Sequence, residues 1–271
     1  MSQIEIFTAA QVLDSGIKIP SPPTLLTELN SLLDAPDVDI GKLAALISRD
    51  AGATAMLFKL AGSPMFGGRK VPDAIDGVIN MLGLSVVADL LRGMMLRAAM
   101  PNEAPFYIWF WERSDAIADI AGQLASKIRS ARISPSHARL ATLFMDCGVA
   151  VLTTRFPDYL QGFETPTGQG YLWPKVRQTD AQFNTNHAVV GGLIAKHWKL
   201  PEYVCEAIQK HHDTDFESPQ VGSLVALMQL ATYVYQQKRH NEDPSWDICG
   251  ASAMERLQLN DDDVLDLIDE V

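Results

Sequence analysis

The chain has 271 residues, of which 47% are hydrophobic and 20% charged, and its formal net charge is −11. This composition is typical of a globular protein with a sizeable core, and the acidic balance argues against a broad nucleic-acid-binding surface. The N-terminus has no signal-peptide pattern, and no uncharged apolar run reaches the about 18 residues that span a bilayer. We therefore expect a cytoplasmic protein that does not bind membranes.

The first hundred residues are predicted to form a bundle of short helices. Apolar residues recur there at helical spacing, and nothing alternates with the period of two that is typical of a strand. The pattern predicts five helices, which begin after Pro23, after the caps Asp39 and Asp50, at Pro72-Asp73 and after the cap Ser85. Gly83 is placed to end the fourth of them. A short helix before residue 19 and a flexible loop at Gly67-Gly68 are also expected.

Beyond a break at residues 101–105, the sequence predicts longer helices. The first reaches about Arg129, and a central apolar helix covers residues 137–152 after its cap Ser134. A loop is expected at residues 161–174, followed by helices that begin at Asn186, Pro201 and Ser218 and by an acidic amphipathic helix at residues 261–267. We expect an all-α fold, a multi-helix bundle in which residues 1–101 and 102–271 are two subdomains of one unit.

One carboxylate, Asp146, lies in the middle of the central apolar helix. A charge in a dry interior is costly unless it has a partner, because an unpaired carboxylate takes up a proton instead. What Asp146 faces therefore decides between an enzyme, an inactive relative of an enzyme and a binding scaffold.

Two ordered sets of motifs resemble the HDOD family, bacterial domains related to the metal-dependent HD phosphohydrolases. The first set comprises residues 47–54 (ISRDAGAT), 61–64 (AGSP) and 74–83, and the second comprises residues 186–192 (NHAVVGG), 197–201 (HWKLP) and the pair His211-His212. The resemblance spans roughly residues 18 to 235. One departure is Gly62-Ser63, where the family usually has Asn-Ser.

Active HD phosphohydrolases hold a metal through a His, a His-Asp pair and a later Asp. Transferred by position, these ligands fall on Arg113, on Met145-Asp146 and on Thr232, so that only Asp146 keeps its type. A guanidinium cannot ligate a cation, and a thioether is a poor ligand for Mg²⁺ or Mn²⁺. The resemblance thus implies a degenerate site, and we expect no catalytic residue, no bound metal and no other cofactor.

Two interpretations of Asp146 remain open. In the first, Arg113 replaces the lost metal charge and forms a buried ion pair with Asp146. In the second, Asp146 accepts backbone hydrogen bonds or faces a wet cleft, while Arg113 lies at the surface.

The histidines His187, His211 and His212 also allow two interpretations. They could line a residual pocket, together with Asp146, that binds a phosphate, a nucleotide or a metal. Alternatively, they serve packing and helix ends, where histidines suit the helix dipole. Because adjacent helical residues point about 100° apart, at most one of His211 and His212 is expected to face the pocket.

The other conspicuous side chains are interpreted as core. Five aromatic residues between Phe106 and Trp111 could form a ligand cage but are more often packing. Cys147, Cys205 and Cys249 suit apolar positions in a reducing compartment. A carboxylate and an apolar helix raise a thiol pKa, so Cys147 is expected to be inert.

The resemblance implies a regulatory function. We expect a catalytically inactive signalling domain that binds a partner protein or, in the residual pocket formed by Arg113, Asp146, His187, His211 and His212, a nucleotide or phosphate. The alternative is a metal-dependent phosphohydrolase whose non-standard site uses Asp146, His187 and His211 or His212.

Overall fold

A computed structural model describes residues 11, 14, 16–62, 71–101, 103–165, 167, 170–174 and 176–271. Across these ranges the chain forms fourteen α-helices and no strand, apart from one isolated bridge between Glu164 and Tyr171. The predicted all-α fold is therefore confirmed. The loop at Gly67-Gly68 and most of the expected helix before residue 19 lie outside the described residues.

The structure divides into two compact units. We call residues Ser21–Ala99 the small unit, and Met100–Val271 with the described residues before Ser21 the large unit. The small unit contains α1 (Thr24–Leu33), α2 (Ile40–Ile47), α3 (Ala51–Ala61), α4 (Ile75–Leu82) and α5 (Leu84–Ala99). These match the five predicted helices.

Local hydrogen bonds explain where most helices of the small unit begin and end. The side chain of Asp39 accepts from the backbone N–H of Lys42 at 3.0 Å, and that of Asp50 accepts from Ala53 at 2.8 Å. Gly83 ends α4 with a φ of 87°, a conformation that favours glycine. The predicted cap Ser85 is wrong, because α5 already begins at Leu84 and Ser85 lies in its first turn.

The large unit holds the remaining helices. They are α6 (Pro105–Lys127), α7 (Pro135–Met145), α8 (Cys147–Arg155), α9 (Val176–Gln182), α10 (His187–His197), α11 (Glu202–Gln209), α12 (Pro219–Gln237), α13 (Trp246–Leu257) and α14 (Asp261–Glu270). Ser134, Asn186 and Ser218 cap α7, α10 and α12 through their side chains, as predicted. Helices α9 and α13 were not expected from the sequence.

The central apolar helix is broken at Asp146, so the prediction of one helix over residues 137–152 is wrong. Helix α7 ends at Met145, and α8 begins at Cys147. Asp146 has φ −101° and ψ 3°, in the sparsely populated bridge region. The carboxylate therefore lies at a junction between two buried helices rather than inside one.

Glycines allow the helices around this junction to approach closely. A Cβ at Gly148 would lie 2.1 Å from the backbone oxygen of His187, and one at Gly192 would lie 2.9 Å from Cβ of Gln209. Since real Cβ atoms do not approach so closely, only glycine fits at these crossings. The start of α10, with His187, is thereby held against α8 and beside Asp146.

Among the helices in the described ranges, none is by itself long and apolar enough to cross a membrane. Helices α4 and α5 satisfy length and composition only when taken together, and they are bent by 107° relative to each other.

Candidate functional site

Arg113 and Asp146 form a buried ion pair in the large unit. Nη1 of Arg113 lies 3.0 Å from Oδ2 of Asp146, and the two side chains are only 3% and 5% exposed. The ring of Trp173 covers the guanidinium at 3.7 Å. The hypothesis of a buried pair is thus confirmed, and the alternative of a surface Arg113 is wrong. Burial would raise the pKa of Asp146, but the neighbouring His211 and Arg113 hold it well below its usual range.

The other carboxylate oxygen of Asp146 faces imidazoles. Oδ1 lies 3.7 Å from Nε2 of His187 and 3.6 Å from Nε2 of His211. Nε2 of His187 in turn lies 3.4 Å from Nε2 of His211 and 3.0 Å from Nε2 of His212. Three histidines and one carboxylate are therefore connected by contacts that run through His187, and we call this group the imidazole cluster (Asp146, His187, His211 and His212).

Both His211 and His212 belong to this cluster, so the prediction that at most one of them faces the pocket is wrong. It assumed helical geometry, but α11 ends at Gln209 and the two residues lie in the turn after it. Their ring centroids are 4.0 Å apart. Outside a helix, adjacent side chains need not point about 100° apart, so both can face the same cavity.

Acceptors behind the rings orient two of the imidazoles. Nδ1 of His187 lies 2.6 Å from Oδ2 of Asp180, a carboxylate that also accepts from the hydroxyl of Tyr159 at 2.6 Å. Nδ1–H of His211 donates to the carbonyl oxygen of Ile208 at 2.7 Å. Because each Nδ1 is turned to an acceptor, the Nε2 atoms are turned toward each other.

Proton affinity differs across the cluster. Burial would lower the pKa of His187, but the carboxylate of Asp180 raises it above its usual value. Burial and the neighbouring His211 and His187 hold the pKa of His212 well below its usual value. His212 is therefore neutral at pH 7 and accepts from Nε2–H of His187 when that nitrogen is protonated.

A cavity of about 160 Å³ opens beside the cluster. Its lining includes both residues of the ion pair and two of the clustered histidines, His211 and His212, but not His187. Arg177, Gln229 and Asp243 also line it. Ile248, another lining residue, is 78% exposed, so the cavity reaches the surface. In the described ranges no carboxylate lies within ion-pair distance of Arg177, which leaves this cation available to a ligand.

The residues that the resemblance assigns to the HD ligand positions do not fit a metal. Arg113, Met145 and Thr232 all line the cavity. One is a cation that already occupies Oδ2 of Asp146, and the other two offer a thioether and a hydroxyl. The residues that can hold a metal are instead His187, His211 and His212, whose ligand atoms lie within 4.8 Å of one another.

The aromatic residues of α6 are mainly core, as interpreted from the sequence. Phe106, Phe110 and Trp111 are buried, with exposures of 2% or less. Phe106 packs edge-on against Phe163. Cys147 is buried, and burial followed by the charge of Asp146 raises its pKa far above the usual range. It therefore packs as an apolar residue.

Several site residues were missed from the sequence. Tyr159, Asp180 and Arg177 lie in or beside a segment for which no element was predicted, and Trp173 was placed in a loop. Asp180 lies seven residues before His187, but helical periodicity does not relate them, because α9 ends at Gln182 and α10 begins at His187. An Asp inside an unassigned segment was the available signal, and it is a weak one because Asp residues are mostly exposed.

Comparison with known proteins identifies a matching domain family and one similar protein. The HDOD domain family matches residues 19–214. An uncharacterised protein of Treponema pallidum (strain Nichols) is 26% identical over 224 residues, which cover 82% of this chain and 43% of that protein. The chain thus spans less than half the length of this relative.

Solved structures share the fold. An HDOD domain protein of unknown function from Geobacter sulfurreducens is 23% identical, with a TM-score of 0.68 over 97% of this chain and 92% of that one. A Shewanella amazonensis SB2B protein, provisionally named a phosphohydrolase, is 17% identical, with a TM-score of 0.70 over 96% and 93%. A Marinobacter aquaeolei VT8 protein, provisionally assigned to signal transduction, is 19% identical, with a TM-score of 0.67 over 95% and 58%.

These likenesses establish the fold, and the family match covers well over half of the chain. The helical bundle is the fold expected from the resemblance. The chain belongs to the HDOD family.

Proposed function

We propose that this chain is a regulatory HDOD domain, which binds a phosphate-containing small ligand and signals to a partner protein without hydrolysing the ligand. The observation that supports this most directly is the buried pair of Arg113 and Asp146 at 3.0 Å. In an HD phosphohydrolase the metal activates a water and neutralises phosphoryl charge. Here a guanidinium supplies the positive charge and cannot generate a hydroxide.

The cavity favours an anion as the ligand. Arg177 and His212 line it, and Arg177 has no carboxylate partner within the described residues. Guanidinium groups bind phosphate through paired hydrogen bonds. About 160 Å³ is close to the volume of a cavity that holds benzene, so a phosphate group fits while the rest of a nucleotide would extend outward.

Two measurements test this proposal. The first is hydrolysis of p-nitrophenyl phosphate and bis(p-nitrophenyl) phosphate by the full chain with Mg²⁺, Mn²⁺ or Zn²⁺, and we expect none. The second is thermal unfolding with inorganic phosphate or nucleoside monophosphates, which we expect to raise the melting temperature. Arg177→Gln should abolish that rise, whereas the exposed control Arg129→Gln should retain it.

The alternative is a phosphohydrolase that uses the imidazole cluster. It is favoured by one observation: two imidazoles lie within 3.7 Å of Oδ1 of Asp146, and a third, that of His212, lies 3.0 Å from the first of them. Metal-dependent hydrolysis that disappears in Asp146→Ala and survives in Arg129→Gln would establish this alternative and refute the regulatory proposal.

A further inference from the structure

The chain passes twice between its two units, after residue 20 and after residue 99. At each connection, on the side of the large unit, an indole holds a proline carbonyl. Nε1–H of Trp198 donates to the carbonyl oxygen of Pro20 at 2.9 Å, and Nε1–H of Trp111 donates to that of Pro101 at 3.0 Å. We propose that these two tryptophans are anchors, which tie both connections of the small unit to helices that carry site residues and so let the large unit control the small unit.

The anchors are built into the core of the large unit. Both indoles have an exposed fraction of 0%. Trp111 packs edge-on against Phe110 with 4.8 Å between ring centroids, and Trp198 packs edge-on against Phe144 with 6.0 Å. A buried indole N–H without an acceptor is costly, and here a carbonyl of a connection accepts from each. The packed rings therefore provide fixed points for the two connections.

The connections themselves are short and stiff. Three of the four residues at positions 20–23 are prolines, and α1 begins directly after them. Proline fixes its own φ and also restricts the residue before it. At the other connection, only Met100 separates the end of α5 from Pro101. A carbonyl held at either anchor therefore restrains the helix of the small unit that follows or precedes it.

Each anchor also belongs to an element of the site. Trp111 lies in α6, two residues before the cavity residue Arg113. Trp198 directly follows α10, whose first residue, His187, lies 3.0 Å from the cavity residue His212. Rigid helices are one of the means by which distant positions become coupled. A displacement at the cavity would thus reach one connection along α6 and the other along α10.

The test is limited trypsin digestion of the folded full chain, with mass spectrometry of the first fragments. The exposed residues Lys18 and Arg97 each lie two residues before a connection, and their cleavage reports how often that connection opens. Trp198→Phe keeps an aromatic ring but removes the N–H. Cleavage after Lys18 should then be faster by about 2–10-fold, the factor expected for one hydrogen bond. Trp111→Phe should have the same effect after Arg97.

Controls separate loosening of a connection from general destabilisation. Trp109→Phe alters the same helix as Trp111→Phe, but the half-buried Trp109 holds no connection, so neither cleavage should change. Cleavage after the exposed Lys59, within α3, is the reference for the small unit as a whole. Circular dichroism shows whether each variant is folded.

A measurement on the unmodified protein removes the dependence on folded variants. Tryptophan labelled with nitrogen-15 gives one indole N–H signal per residue. The signals of Trp111 and Trp198 should exchange with deuterium more slowly than the signal of Trp109, because their hydrogen bonds must open first.

A ligand effect through the anchors rests on the proposed function and is tested with inorganic phosphate. Phosphate should slow cleavage after both Lys18 and Arg97 in the unmodified protein, and in Trp111→Phe it should slow only the cleavage after Lys18. A phosphate-induced rise in melting temperature with both cleavage rates unchanged would refute control through the anchors. Phosphate that leaves the melting temperature unchanged would instead refute the proposed function, and the variants would still decide on the anchors.

Two further results would overturn the proposal. One is that folded Trp198→Phe and Trp111→Phe are each cleaved at their own connection no faster than the unmodified protein. The other is that both variants are cleaved faster at every position, after Lys59 as much as at the connections, which would make the tryptophans ordinary core residues.

Discussion

The two sides of the Asp146 carboxylate have different chemistry. Oδ2 faces Arg113, to which the resemblance assigns a metal-ligand position of the HD phosphohydrolases, and Oδ1 faces His187 and His211 of the imidazole cluster. On the first side, the positions assigned in this way, other than Asp146 itself, hold a guanidinium, a thioether and a hydroxyl, which are poor ligands for Mg²⁺ or Mn²⁺. On the second side, imidazoles remain and are oriented by Asp180 and a backbone carbonyl.

This difference teaches that the positions of one motif do not describe the whole site. The residues that the resemblance assigns to the HD positions include a guanidinium, and no rearrangement of Arg113 would make it a metal ligand. The imidazole side depends on groups outside the motif, and its chemistry follows from their packing. Residues on one side of the carboxylate can therefore be substituted separately from residues on the other side.

The largest expected effect is on the Arg113 side. Arg113→Ala leaves the carboxylate of Asp146 buried without its cation, which should lower the free energy of unfolding by about 3–5 kcal/mol. Urea denaturation measures the loss. The control is Arg139→Ala, whose partners Asp119 at 2.8 Å and Asp115 at 3.7 Å are 60% and 30% exposed, and there we expect about 0–1 kcal/mol. Similar losses in the two variants would show that Asp146 does not depend on Arg113.

On the imidazole side, the hydroxyl of Tyr159 is the first group to remove. Tyr159→Phe deletes the hydrogen bond donated to Asp180, and hydrogen bonds to a charged group contribute about 1.5–3 kcal/mol. Tyr107→Phe is the matched control, since its hydroxyl lies 3.2 Å from the neutral Thr153, with an expected loss of about 0.5–1.5 kcal/mol. If Tyr107→Phe were the more destabilising of the two in thermal or urea unfolding, Asp180 would not be the buried acceptor described above.

The glycine at the helix crossing should also be sensitive. Gly148→Ala places a methyl group against the backbone oxygen of His187, and such overpacking typically costs about 1–3 kcal/mol. Gly122→Ala is the control, because its added Cβ would lie 3.5 Å from the nearest atom and a helical Ala is favoured over Gly. Calorimetric melting of both variants measures the difference. A tolerated Gly148→Ala would mean that α8 and α10 can separate without cost.

The smallest effect concerns the thiols. Burial raises the pKa of the Cys249 thiol to about 12, far above the about 8.5 of a free cysteine, and Cys147 and Cys205 are also buried. Little thiolate is therefore present at pH 8, and alkylation by iodoacetamide should be slow in buffer and fast in urea. Because Cys249 lines the cavity, its rapid alkylation in buffer would indicate that water enters there more freely than the structure shows.

The sequence by itself determined the elements that depend on near neighbours. The caps Asp39, Asp50, Ser134, Asn186 and Ser218 each bond to a backbone N–H two or three residues further on, so their effect is visible in a short window. The all-α class followed from helical periodicity. For the pairing of Arg113 with Asp146, a charge argument at matched motif positions gave one of two open interpretations, and the structure decided between them.

Tertiary packing alone decided the rest. The break at Asp146 has no proline or glycine at the position itself to announce it, and directly after it α8 meets the start of α10 at Gly148. The convergence of His211 with His212 required α11 to end at Gln209, and the support of His187 by Asp180 and Tyr159 joins three separate elements, which no single helical period relates. Such contacts depend on where separate helices cross, and no local pattern in the chain encodes that crossing.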